Sequence, residues 1–252
     1  MKNNRGIINL IYPLIALIVL LIVWAIAAAV VDAELIIPSV DATFIRLGEL
    51  FSDGKYWLAV LSTLWRAVRS FLYGAICAVA CALAAYCIAP VRRVLDPLVS
   101  VLRSTPTMAI ILIVILWLGS KAAPVLIAFL ITFPLLYANF LAGFDSIDSG
   151  LKEMSEVYSA RKRDVVFKLY LPSIAPYALD GMRSAISLSI KVTIASEVLA
   201  QTLDSLGLYM QSAKVNLDTA GLLACTVTAI VLSYLAELVV YGIKKLVVRW
   251  TE

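Results

Sequence analysis

Histidine is missing from this sequence altogether. Its absence removes the side chain that most often serves as general base near neutral pH and most often ligates metals. No Ser-His or Cys-His arrangement is left for nucleophilic catalysis, so an intramembrane enzyme is the weakest of the function classes considered. Cysteine is scarce. Cys77, Cys81, Cys87 and Cys225 all lie inside apolar runs, and spacings of four and six residues without a histidine do not make a zinc site. They read as small apolar packing residues. None of the eleven glycines opens a Gly-x-x-x-x-Gly-Lys-Ser/Thr loop, so the chain does not bind ATP in that way, and no cofactor is expected. Charge is scarce as well. Asp, Glu, Lys and Arg make up 15% of the residues, where a soluble domain carries about a quarter. The net charge of +4 is modest and sorts to one side of a membrane, so no nucleic-acid partner is expected.

What is abundant is apolar surface, with 62% of the 252 residues hydrophobic. That much cannot be hidden in one water-soluble core of this size, so lipid must cover part of it. A spanning helix needs about 20 apolar residues, and Leu10 to Val31 supplies 22 without a charge. A signal peptide is the rival reading of this run, since Lys2 and Arg5 precede it and Ala27 to Ala29 lie near its end. The run is longer than a usual h-region. Residues 32–58 are mixed, and Phe44, Leu47, Leu50 and Phe51 fit one face of a short amphipathic helix at the membrane surface, started at Pro38 and Ser39. Further apolar runs at 59–89, 97–118, 124–144, 177–201 and 220–243 bring the expectation to six transmembrane helices in an all-α, polytopic membrane protein. The expected domains are a first helix at 1–31, an external connection at 32–58, and a core at 59–247 that includes a polar loop at 145–172.

Lysine and arginine set the orientation. With the N-terminus inside, the inner segments hold twelve: Lys2, Arg5, Arg92, Arg93, Lys152, Arg161, Lys162, Arg163, Lys168, Lys244, Lys245 and Arg249. The outer segments hold Arg46, Lys55, Lys121 and Lys214. Both termini and the 145–172 loop are therefore expected in the cytoplasm.

That loop is the most informative part of the sequence. After Asp145 and Asp148, acids suited to a helix N-terminus, come Leu151, Met154, Val157 and Tyr158 at helical spacing. A basic turn follows at Arg161, Lys162 and Arg163, then a second stripe of Val165, Val166, Leu169 and Tyr170, ended by Pro172. Two short amphipathic helices outside the bilayer make an apolar wedge suited to a groove on a soluble partner. Periodicity alone fits equally well an interfacial loop resting on lipid headgroups.

At this loop the sequence resembles the permeases of binding-protein-dependent ABC importers. Their signature is Glu-Ala-Ala, three residues, Gly, nine residues, then Ile-x-Leu-Pro. Here it reads Glu153-Met154-Ser155, three residues, Ser159, nine residues, then Leu169-Tyr170-Leu171-Pro172. The spacing, the glutamate and the Leu-Pro match; Met154, Ser155 and Ser159 depart from it. Upstream, Arg92-Arg93-Val94-Leu95-Asp96-Pro97-Leu98, Leu102-Arg103-Ser104-Thr105-Pro106 and Ile115-Leu116-Trp117-Leu118-Gly119 are similar to segments of the nitrate/sulfonate/taurine-type branch, as are Glu197 and Leu206-Gly207.

The resemblance implies a type I importer permease in the bacterial cytoplasmic membrane. Two copies pair, two cytoplasmic ATPase subunits dock through Glu153, Met154, Ser155, Ser159, Leu169, Leu171 and Pro172, and an extracellular or periplasmic binding protein delivers a small solute. The branch carries organic anions such as sulfonates and taurine, and also vitamin precursors.

Charges inside spans are costly and often functional. Arg66, Arg69, Arg183 and Glu237 read as residues that snorkel from span ends. Arg103, Lys191 and Glu197 are candidates for a translocation path. Lys191, mid-span, reads equally as a magnet for an anionic substrate or as one half of a salt bridge, with Glu197 of this or a partner chain as the other half. Six residues apart on one helix, Lys191 and Glu197 do not share a face. A proton- or sodium-coupled carrier is the competing class, supported only by these charges.

Overall fold

The computed structural model describes residues 3–247, so Lys2 and Arg249 of the orientation argument lie outside the described residues. All the regular structure in that range is helical. Two compact units divide the chain.

The first unit comprises residues 1–57 and 209–228. Its first helix, α1 (Asn3–Val31), is apolar on all sides, and Leu17, Leu20, Val23 and Ile26 lie exposed as lipid-facing residues would. The second, α2 (Val40–Ser52), begins where the Ser39 hydroxyl accepts from the Ala42 N–H at 3.1 Å, an N-cap that satisfies one of the first-turn donors. The Trp24 indole donates to the Pro38 carbonyl at 3.1 Å, tying the connection back to α1. Arg46 on α2 bridges Glu49 at 2.6 Å and Asp218 at 3.0 Å, and Tyr56 donates to Thr228 at 2.8 Å.

The second unit comprises, of the described residues, 58–208 and 229–247. It holds most of α3 (Gly54–Cys87) and all of α4 (Ala89–Ser104), α5 (Thr107–Asp145), α6 (Ser149–Val157), α7 (Lys162–Val165) and α8 (Leu171–Ala200), while α9 (Leu206–Val215) and α10 (Thr219–Val247) each have residues assigned to both units. Its core joins Phe71, Ala78 and Ala82 of α3 to Tyr137, Phe140 and Phe144 of α5, with Ala185 of α8 and Val240 of α10. Small residues bring α5 and α8 together: a Cβ added at Gly181 would stand 2.5 Å from the Asn139 Cβ, so only glycine allows this approach. In a membrane such close packing supplies association energy that water does not.

Among the described residues, four helices combine the length and apolarity to cross a membrane: Leu14–Val31 in α1, Gly54–Cys87, Thr107–Asp145, and Thr219–Leu246 in α10. A fifth, α8, has 30 residues, about 45 Å at 1.5 Å per residue, but it carries Asp180, Arg183, Lys191 and Glu197. The 39 residues of α5 amount to about 58 Å of helix, well beyond the roughly 30 Å of a hydrocarbon core. Gly119 divides it, taking φ 67°, a region that favours glycine. Counting six crossings thus depends on taking the parts of α5 before and after Gly119 separately.

The expected span at 97–118 is not one helix. It is broken after Ser104, where Thr105 is extended and Pro106 becomes the N-cap residue of α5. The reason is local, because a residue before proline is pushed out of the α region.

Candidate functional site

The segment 145–172 is a helical hairpin fixed at its base by charge. Arg92 of α4 donates to both carboxylate oxygens of Asp145, at 3.0 and 2.8 Å. Its neighbour Asp96 accepts from the Tyr137 hydroxyl at 2.8 Å. Lys152 of α6 donates to the Tyr86 hydroxyl at the end of α3, a bond that holds the ammonium pKa above its ordinary value. Tyr86 in turn stacks on Phe144 with ring centroids 5.3 Å apart. The hairpin is thereby held by α3, α4 and α5.

The helix α6 starts as expected from its acids: the Asp148 carboxylate accepts from the N–H groups of Gly150 and Leu151 at 2.7 and 3.1 Å. It ends in a Schellman motif. The Ala160 N–H reaches the Ser155 carbonyl at 2.9 Å and the Ser159 N–H reaches that of Glu156 at 3.0 Å. Ser159 sits at φ 48°, the left-handed position. The turn signature's glycine falls at this residue, and the serine that replaces it carries a Cβ where none is welcome.

Relieving that position should tighten the turn. Ser159→Gly is expected to stabilise the hairpin by up to about 1 kcal/mol, and Ser159→Val to destabilise it by about 1–2 kcal/mol. Limited trypsinolysis at Arg161, Lys162 and Arg163 reads this directly, since cutting tracks local opening. The glycine variant should be nicked several-fold more slowly than the wild type and the valine variant several-fold faster.

Pro172 does not end the second helix. It stands in the first turn of α8, and the chain runs continuously from α7 through a π turn at Val166–Tyr170 into that helix. A proline lacks the N–H for the usual bond and its ring crowds the carbonyl four residues back. The wider turn accommodates it, with the Leu171 N–H reaching the Val166 carbonyl five residues back. The second arm of the hairpin is therefore a rigid extension of α8 instead of a separate short helix.

The apolar faces are uncovered. Leu151, Met154, Val157 and Tyr158 of the α6 arm and Phe167 and Leu171 of the second arm are exposed, Val157 at 80%. Glu153 is exposed beside them, and Ser155 donates to the Lys152 carbonyl at 2.7 Å. Leu169 is not among these exposed residues. Together with Tyr170 it is partly buried against the core that contains Phe144 and Ala185, so it anchors the hairpin to its own chain. Phe167, which the sequence stripe does not include, is exposed.

The three candidate path residues do not share a site. Arg103 is exposed at the end of α4 and lines a cavity of about 560 Å³ with Asp96, Tyr137 and Asp145. Lys191 is exposed on α8. The Glu197 side chain is fully buried and paired with Arg66 at 3.0 Å. Thr63 donates to it at 2.8 Å and the Gly207 N–H at 3.4 Å. A salt bridge from Lys191 to Glu197 of the same chain is thus replaced by one from Arg66.

The Arg66 guanidinium also donates to the carbonyls of Leu203 and Asp204, at 3.2 and 3.3 Å. Gly207 is required here, since an added Cβ would stand 2.4 Å from that of Glu197. This cluster ties α3 to α8 and to the segment that leads into α9. Sequence reasoning assigned Arg66 to snorkelling. The available signal was Thr63 and Arg66, three residues apart on one helical face.

Apolar helices long enough to cross a bilayer, carrying an exposed amphipathic hairpin, define a polytopic helical membrane protein. Residues 71–252 match the model of the family described as binding-protein-dependent transport system inner membrane component, and the chain belongs to that family. It is accordingly an ABC transporter permease, a multi-pass subunit of the inner membrane rather than an enzyme.

Among its relatives, the taurine transport system permease protein TauC of Escherichia coli (strain K12) is 23% identical over 239 residues, 92% of this chain and 86% of the relative. The formylaminopyrimidine transport permease protein ThiX of Halalkalibacterium halodurans is 25% identical over 235 residues, 93% of this chain and 92% of the relative. The riboflavin transport system permease protein RibX of Chloroflexus aurantiacus is 25% identical over 238 residues, 94% of this chain and 88% of the relative.

Proposed function

We propose that this chain forms half of the translocation pathway of an importer for a small solute, an organic anion such as a sulfonate or a vitamin precursor. Two cytoplasmic ATPase subunits dock on the hairpins of two copies, and an external binding protein delivers the solute. Both termini lie in the cytoplasm. The observation that carries this reading is the hairpin itself: a charge-clamped wedge whose apolar residues Met154, Val157, Tyr158 and Phe167 are left exposed by their own chain. The relatives named for taurine, formylaminopyrimidine and riboflavin transport support the solute classes.

Closed two-fold symmetry is the common solution for identical subunits. Native mass spectrometry of the complex purified through a tag on this chain should show two copies of it with two ATPase subunits. One copy beside a different permease would replace the homodimer with a heterodimer.

Lys191 supplies a second test. It lies 20 residues into α8 from Leu171 and is exposed, and its removal strands no carboxylate of this chain, because Glu197 is held by Arg66. Lys191→Met should therefore leave the membrane yield unchanged while reducing uptake of an anionic solute roughly tenfold, equivalent to about 1.4 kcal/mol. Unchanged uptake removes Lys191 from the path, and a fall in yield shows that a partner's carboxylate depends on it.

A further inference from the structure

A second concentration of charge lies away from the hairpin. A cavity of about 780 Å³ opens in the second unit and is lined by Arg66, Arg69, Tyr73, Lys121, Leu126 and Phe129 among others. No carboxylate is among its lining residues. The charge of Arg66 is met by Glu197. Arg69 and Lys121 take part in none of the ion pairs among the described residues. The Arg69 guanidinium rests over the Trp65 ring at 5.6 Å, and its Nε is buried without a hydrogen-bond partner. A buried donor left unpaired is rare unless something outside the chain completes it.

Position sharpens the point. Arg69 lies 15 residues into α3, about 22 Å from its Gly54 end and about 27 Å from its Cys87 end. A cation inside a helix long and apolar enough to cross a membrane is costly unless it faces water, protein or an anion. Lys121 reaches the same cavity because Gly119, at φ 67°, redirects α5 two residues earlier. Two uncompensated cations over an otherwise apolar and aromatic lining suit one charged end and one uncharged body. The volume falls in the range of small-molecule sites, about 300–1,000 Å³.

We propose that this cavity is an oxyanion-binding site. Arg69 and Lys121 hold the sulfonate, carboxylate or phosphate oxygens of a small organic anion, and Tyr73, Leu126 and Phe129 contact its body. The planar fork of Arg69 offers the paired donors that such groups accept. Calling the anion a cargo rests on the transport reading above; the existence of the site does not. The same chemistry is available from the phosphate of an anionic lipid, and the experiment separates the two sources.

The full-length chain in phosphatidylcholine nanodiscs is titrated with benzenesulfonate by equilibrium dialysis, with neither ATP nor ATPase present. A failed docking experiment therefore leaves this result untouched. Saturable binding is expected, and methyl phenyl sulfone, of similar shape without the charge, should bind at least tenfold more weakly. Arg69→Gln and Lys121→Gln should each lower benzenesulfonate affinity about tenfold or more, while Lys245→Gln leaves it unchanged. Arg69→Lys keeps the charge and should lose less, which guards against a folding defect in the glutamine variant. Repeating the titration with half of the lipid as phosphatidylglycerol identifies the source. Undiminished binding assigns the site to a soluble anion, and abolished binding assigns the oxyanion to lipid. Equal binding of the neutral sulfone, indifference to both glutamine substitutions, or no binding in phosphatidylcholine together with no phosphatidylglycerol retained by the purified chain overturns the proposal.

Discussion

Arg66→Met should be among the most damaging single substitutions in this chain. Its partner Glu197 is fully buried, and methionine would leave that carboxylate with only the Thr63 hydroxyl and the Gly207 N–H as donors. Breaking a buried pair by removing one partner costs about 3–5 kcal/mol, because the remaining charge is stranded. The loss also frees the carbonyls of Leu203 and Asp204, so the segment leading to α9 loosens at the same time. The level of protein in the membrane and its unfolding midpoint in detergent should both fall sharply. The double variant Arg66→Met/Glu197→Gln should recover part of the loss, since the stranded charge is gone. A single variant as stable as the wild type would show that this pair does not hold α3 to α8.

This pair also shows where sequence reading reaches and where it stops. Long apolar runs translate into helices because lipid leaves a segment no other way to satisfy its backbone, and α1, α3 and α10 follow from Leu10–Val31, the run at 59–89 and the run at 220–243. The run at 97–118 misled because hydropathy averages over Thr105 and Pro106, whereas the backbone responds to that one proline. The hairpin was legible in outline, from Asp148 as a cap and from the spacing of Leu151, Met154 and Val157. Its second arm was not. A π turn at Val166–Tyr170 carries the chain past Pro172, and nothing in a period of 3.6 announces it. Glu197 was singled out as a candidate for the translocation path or for a bridge to Lys191, but its partner, Arg66, lies 131 residues away. Pairings at that separation depend on tertiary packing, which a single sequence does not encode as a pattern.

The second large effect concerns the hairpin's uncovered face. Val157 and Phe167 are 80% and 60% exposed, so replacing both with aspartate removes little packing from this chain beyond the contact of the Arg163 guanidinium with the Phe167 ring at 5.9 Å, and should leave its yield and stability within about 1 kcal/mol of the wild type. If an ATPase groove covers them, each aspartate removes an apolar anchor of about 1.5–3 kcal/mol and buries a charge besides. Together they should weaken association at least about 100-fold, which corresponds to 2.8 kcal/mol. The effect is separable from folding because the residues that hold the hairpin in place, Arg92, Asp145, Lys152 and Tyr86, remain intact.

The central claim is that an ATPase docks on this wedge, and copurification tests it most directly. The tagged chain is expressed with its cognate ATPase and solubilised, and the ratio of the two is measured for the wild type and for Val157→Asp/Phe167→Asp. The account predicts one ATPase per permease chain in the wild type and almost none in the variant, at equal permease yield. An unchanged ratio in the variant would contradict it.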